Sequence, residues 1–197
     1  MSAPALLAAL LLAIAPSPPP NAAVLTLPSS GGGLLSATLS WPAGQQGTSP
    51  ALVAVGEHPG LAQPLNAAGF AVVSIDAASS GDVAAAVTAA AADPHVDPDR
   101  IYLLGLGAGA AAAAEAAAGG VPVRGLVLLD PLATPGEIAA VAVPILLLRE
   151  QDAGAPDAGT QALISAARSA HRRLDYGAID GDDALPAAIT AWAREIQ

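Results

Sequence analysis

The residues most suggestive of chemistry stand together at Gly105-Leu106-Gly107-Ala108-Gly109, between an apolar run and an alanine-rich one. Gly105, Gly107 and Ala110 match the pattern G-x-G-x-x-G/A, in which small residues let a pyrophosphate approach a helix N-terminus. Asp130 follows about 20 residues on, where an acid would bind a ribose hydroxyl. Thiol, amine and imidazole groups are absent or few. There is no cysteine, which excludes thiolate catalysis and disulfides, and all seven basic residues are arginine. A chain without lysine has no Schiff-base amine, no Ser–Lys dyad and no phosphate-loop lysine. Of the three histidines, His58 follows an apolar run in Gly56-Glu57-His58-Pro59-Gly60, and Ser79 and Ser80 follow the next run. A hydroxyl beside an imidazole is an activated nucleophile, so Ser79 or Ser80 with His58 is one candidate pair. The same serines also read as loop hydroxyls ahead of a helix starting at Gly81-Asp82.

Other polar residues read more plainly. His95 and His171 precede strands and fall on the surface at the strands' N-terminal ends. Asp76 and Asp130 each close a strand, where they would fix the following loop. Asp175, Asp180, Asp182 and Asp183 lack the D-x-[DN]-x-[DN]-G order and the distal glutamate of a calcium loop, and read as a solvated acidic loop. Trp41 and Trp192 read as packing residues. No metal or other cofactor is expected.

These groups need a frame. Strands are expected at Ala23–Leu27, Leu34–Trp41, Ala51–Gly56, Phe70–Ile75, Arg100–Gly105, Arg124–Leu129, Val143–Arg149 and Arg172–Ala178. The first two are joined by the turn-rich Pro28–Gly33 and suit an antiparallel pair. Later runs such as RGLVLLD and PILLLRE are continuously apolar, as strands buried on both faces must be. Helices are expected at Leu61–Ala68, Gly81–Ala92 (capped by Asp82), Ala108–Ala118 (stopped by Gly119-Gly120), Asp157–Ala170 and Ala184–Glu195, with a short one at Pro135–Ala140. Strands alternating with helices from Ala51 onward call for an α/β fold: a mostly parallel sheet of eight strands covered on both faces.

The 197 residues, 53% apolar, suit one domain with a real core, placed at residues 23–197. Residues 1–22 read as a signal peptide and proline-rich linker, since Leu6–Ala15 is too short to span a bilayer. The expected location is therefore periplasmic or extracellular, with an uncleaved N-terminal anchor as the alternative and no stable span after processing. The formal net charge of −10 repels phosphate backbones, so nucleic acid is not an expected partner.

Several segments resemble the α/β-hydrolase superfamily, most closely its dienelactone-hydrolase-like esterases and related secreted serine hydrolases. AAGFAVVSIDAASSGD is similar to that family's fourth strand and following loop, and DPHVDPDRIYLLGLGAG to the lead-in and elbow strand. VRGLVLLDP is similar to the sixth strand, and VPILLLREQDAGAPD to the seventh with its acid loop. The resemblance runs from about Leu34 to the C-terminus. It implies a nucleophile elbow, G-x-S-x-G, at Gly105–Gly109, with Gly107 where the serine stands. It places Asp152 at the acid position and Asp182 (or Gly181) where the histidine belongs. Glu57, His58 and Ala108 fall at pocket and oxyanion positions. With only Pro131–Ala142 between the sixth and seventh strands, no cap domain is expected, and the site would be shallow and open.

Two of the three triad positions are thus empty, and losing the nucleophile alone lowers rates by orders of magnitude. The expectation is a catalytically degenerate hydrolase that binds a small molecule or a protein. The alternatives are an active hydrolase using Ser79 or Ser80 with His58, and a dinucleotide-binding module at Gly105-Gly107-Ala110.

Overall fold

Each of the eight expected strands forms, and the helices fall between them as the sequence pattern requires. The computed structural model describes residues 21–56, 58, 60–77, 79–150, 156–170, 173–181 and 184–196. In chain order the elements are β1 (Ala22–Pro28), β2 (Leu34–Ser40), β3 (Ser49–Val55), α1 (Ala62–Ala67), β4 (Ala71–Ile75), α2 (Ser80–Ala92) and β5 (Val96–Leu106). There follow α3 (Gly109–Ala118), β6 (Gly125–Leu129), α4 (Pro135–Ala140), β7 (Ile145–Glu150), α5 (Ala158–Ser169), β8 (Leu174–Ile179) and α6 (Leu185–Glu195). The eight strands form one sheet in the order β1-β2-β4-β3-β5-β6-β7-β8. β1 pairs with β2, and β2 with β4, antiparallel; every other pair is parallel.

Strand residues alternate between the two faces, as a period of two demands. Val53, Ile101, Leu103, Leu126 and Leu128 enter one core, which α2, α3, α4 and α5 cover with residues such as Val83, Ala113, Ile138 and Leu163. Leu52, Tyr102, Leu104, Val127 and Leu129 enter the other, covered by α1 and α6 through Leu65, Ile189 and Trp192. On the first face α3 packs with alanine alone beyond Gly109, which lets that helix lie close to the sheet. The second concentrates the scarce aromatics: Tyr102 contacts Phe70 edge-on at 6.4 Å and Trp192 at 6.3 Å between centroids.

Most boundaries shift by one or two residues from expectation, and two differences have a specific physical cause. β5 begins at Val96 and not at Arg100, because Val96 pairs with Ser49 while Ile101 pairs with Ala51. The extra residues of β5, including Pro98, bulge out there, which is where a strand tolerates a proline. The second concerns α2: its N-cap is Ser79, whose Oγ accepts from the Asp82 backbone N–H at 3.2 Å. Asp82 was expected to cap. It instead reaches the β1–β2 turn, accepting from Ser29 Oγ at 3.0 Å and Ser30 N–H at 2.8 Å. The hydroxyls of Ser30 and Ser79 lie 2.7 Å apart beside it.

This clasp joins residues some fifty positions apart, and the Ser30 backbone N–H, ahead of the serine hydroxyls, holds the Asp82 carboxyl below the usual carboxylate range. A depressed folded-state pKa stabilises the fold above the unfolded value of about 3.9 and ceases to do so as pH falls through the folded one. Asp82→Asn is therefore expected to lower the urea midpoint at pH 7, and the gap from wild type is expected to narrow as pH drops below about 4. A gap that stays constant or widens on acidification rules the clasp out as the cause.

Asp175 also departs from expectation. It lies inside β8, not in an acidic loop, accepting from Arg173 Nε and from Trp192 Nε1–H at 2.9 Å each. Asp180 follows the strand and is exposed; Asp182, Asp183 and His171 lie outside the described residues. His95 precedes β5 at the N-terminal edge of the parallel strands, stacked on Trp41 at 4.0 Å and bonded to Asp93 at 2.9 Å. Among the described residues, no helix is long and apolar enough to cross a membrane.

Candidate functional site

The chain runs from β3 outward to β4, then crosses back to place β5 on the other side of β3. Such a reversal opens a crevice at the carboxyl ends of the two strands, where ligands of open α/β sheets bind. A cavity of about 810 Å³ occupies that place. Gly56 and His58 border it after β3, Asp76 and Ala77 after β4, and Leu106 at the end of β5 with residues 107–109 beyond it. Leu129 and Asp130 at the end of β6, and Glu150 at the end of β7, complete the wall. A smaller cavity of about 310 Å³ shares Gly56, His58, Asp76 and Leu106 with it and reaches down to Leu61. Between β6 and β7 only α4 and its flanking turns intervene, so no cap layer is inserted there.

The floor is the β5–α3 turn. Gly105 and Gly109 are required for close approach: a Cβ on Gly105 would stand 2.7 Å from Ala110 Cα, and one on Gly109 would overlap the Val55 carbonyl. Gly107 differs. Its φ is +50°, in the left-handed region, yet an added Cβ would meet no atom within 4 Å. The turn is pinned by its backbone: Gly107 N–H donates to Leu129 O at 3.0 Å, and Gly107 O accepts from Leu132 N–H at 3.0 Å. Ala108, exposed, is the N-cap of α3 and contributes no side-chain cap.

Of the other expected site residues, His58 lines both cavities and is half-buried. Glu57, Asp152 and Asp182 lie outside the described residues. Ser79 and Ser80 are absent from the described cavity lining, and the Ser79 hydroxyl serves as the α2 cap. Asp76, expected to fix its loop, is exposed and borders the cavity instead. Gly107 and Asp130 do share one cavity. Asp130 is the one described non-glycine residue with positive φ, +42°. Its N–H donates to Leu148 O at 3.1 Å, and Arg149 Nε approaches its Oδ1 at 3.5 Å.

Glu150 was not singled out from the sequence. Its only signal was a carboxylate ending an apolar strand, and whether that end meets a cavity depends on the neighbouring strands. Arg149 was missed too. Its NH1 donates to Asp157 Oδ2 and Thr160 Oγ1 at 3.1 Å each, anchoring α5 to the end of β7. Asp157 caps α5, and the Thr160 backbone N–H, then the Thr160 hydroxyl and the Arg149 charge, hold its carboxyl below the usual range.

Solved structures share this architecture. The esterase domain of a Rhodothermus marinus protein superposes with a TM-score of 0.70 at 17% identity, over 89% of this chain and 100% of that one. A dienelactone hydrolase-like promiscuous phosphotriesterase from metagenomic libraries gives 0.69 at 18% identity, over 89% and 99%. The fold is the α/β-hydrolase fold. A dipeptidyl peptidase 4 from Porphyromonas gingivalis also matches, with a TM-score of 0.69 at 14% identity over 89% of this chain, which spans 35% of that protein's length. No protein-family model matches the chain, and no curated protein matches it in sequence. In an α/β-hydrolase fold the strand-to-helix turn above the sheet is the seat of the elbow motif, and here that turn is built on three glycines.

Proposed function

We propose that this protein uses the α/β-hydrolase fold to bind a small molecule or a partner's segment, without hydrolysing esters. The observation that carries this reading is Gly107. It holds the left-handed conformation of the turn and faces open space, but supplies no atom able to attack a carbonyl. The dienelactone-hydrolase-like and esterase neighbours support the ancestry. No histidine follows β8 in the sequence, so the general base is missing from its place as well. With no nucleophile on the turn and no histidine after β8, what remains is a cavity at the strand crossover, bordered by the start of α3. That is equipment for holding a ligand.

Ser79 offers little as a substitute nucleophile, because its hydroxyl already accepts from Asp82 N–H and lies against Ser30. The test is direct. Incubation with short-chain 4-nitrophenyl esters is expected to give no hydrolysis above buffer, and a fluorophosphonate probe is expected to leave the protein unlabelled. Turnover or a covalent adduct defeats the reading.

Gly107→Ser makes a companion prediction. The added side chain has room, so the penalty is confined to backbone strain of about 1–2 kcal/mol. Turnover is expected to stay at the buffer level, since no histidine stands after β8 to activate the serine, and turnover in this variant would instead assign His58 as the base. Urea unfolding and the same ester assay measure both halves.

A further inference from the structure

Three carboxylates border the cavity, Asp76, Asp130 and Glu150, and no lysine or arginine is among its described lining residues. Arg149 approaches Asp130 but spends its other contacts on Asp157 and Thr160. Asp76 and Glu150 have no ion-pair partner among the described residues, and both are exposed. With Asp130 ion-paired to Arg149, the N-terminus of α3 opposes the other two carboxylates with the equivalent of about half a positive charge, which their two negative charges outweigh. The carboxylates do not define the site; the cavity at the strand crossover does, together with the free volume above Gly107. What the carboxylates set is the sign of the occupant.

We propose that the cavity takes a small cationic ligand, of the amine or amidinium class. Its uncharged body rests on the side-chain-free turn at Gly107, and its charge is balanced chiefly by Asp76 and Glu150. This rests on the reading of the site as a binding pocket. It also disfavours a pyrophosphate-bearing dinucleotide at the same turn, because its anionic groups would face the same carboxylates.

Benzamidine, benzamide and benzoate share one shape and differ in charge, so calorimetric titration with the three isolates the sign. Benzamidine is expected to bind at least about tenfold tighter than benzamide, with benzoate weakest. Its affinity is expected to fall as salt rises from about 10 to 150 mM, where the screening length drops from about 30 to 8 Å. Asp76→Asn and Glu150→Gln, both surface changes that keep the fold, are each expected to weaken it about two- to fivefold. Gly107→Leu is expected to abolish binding by filling the floor. Gly120→Leu is the control for backbone strain: Gly120 has φ +83°, has no atom within 4 Å of an added Cβ, and lies past the far end of α3.

Equal or tighter binding of benzamide or benzoate overturns the proposal, as does the absence of binding by all three. Benzamidine affinity unchanged in both carboxylate variants overturns it too. Preference for benzoate would leave the pocket reading standing, whereas ester turnover would remove that reading alone.

Discussion

Gly109→Ala is expected to destabilise the protein by about 3 kcal/mol or more, the upper end for overpacking, and to abolish expression of folded material if the margin is small. The added carbon would overlap the Val55 carbonyl and stand 2.9 Å from Gly56 N, all of it backbone at the end of β3. A side chain can rotate out of the way of a methyl group; a strand held on both sides by β4 and β5 cannot. Relief requires α3 to lift from the sheet, which would open a packing gap under Ala110 and Ala113, both fully buried. Gly107→Ala, two residues earlier, provides the contrast: it bears only backbone strain of about 1–2 kcal/mol. Urea unfolding of the two variants decides the matter. If Gly109→Ala is no less stable than Gly107→Ala, the close approach of α3 to β3 is not what holds this turn.

Trp192→Ala is expected to lower stability by about 3–5 kcal/mol, the range for deleting a buried large aromatic. Trp192 is 4% exposed and lies across the start of β6, where a Cβ on Gly125 would come within 2.5 Å of its ring. Alongside Phe70 and Tyr102, it is one of the three aromatic side chains buried in the second core. It also satisfies a polar group, since its Nε1–H donates to Asp175 Oδ2 at 2.9 Å. Trp192→Phe separates the two contributions. It keeps much of the ring contact and is expected to lose roughly 1–2 kcal/mol, because Asp175 retains the Arg173 guanidinium. Far-UV circular dichroism in a urea titration reads both variants without relying on the lost fluorophore. An alanine variant within about 1 kcal/mol of wild type would mean that α6 is not anchored through this residue.

The floor of the site and the sign of its charge were legible to different degrees. Gly105–Gly109 was visible as a strand-to-helix turn because dense glycine after a buried apolar run leaves few alternatives. His58 was visible because a lone histidine after an early strand falls on the carboxyl edge once that strand is parallel. The carboxylate wall was not visible. Asp76 read as a loop fixer and Glu150 went unnoticed, because each borders the cavity only through strands distant in the chain.

Periodic apolar runs, alanine-rich segments and well-placed turn residues were enough to establish the α/β architecture, the eight strands and the glycine-dense strand-to-helix turn at Gly105–Gly109, since each depends on residues within a few positions of one another. Strand order, the Asp82 clasp onto the β1–β2 turn and the pairing that pulls Val96 into β5 came only with the folded chain. These rest on contacts between residues up to about fifty positions apart. No local propensity encodes which of several hydroxyls an aspartate will meet, or which strand ends converge on one hollow. Packing of the two layers against the sheet selects them.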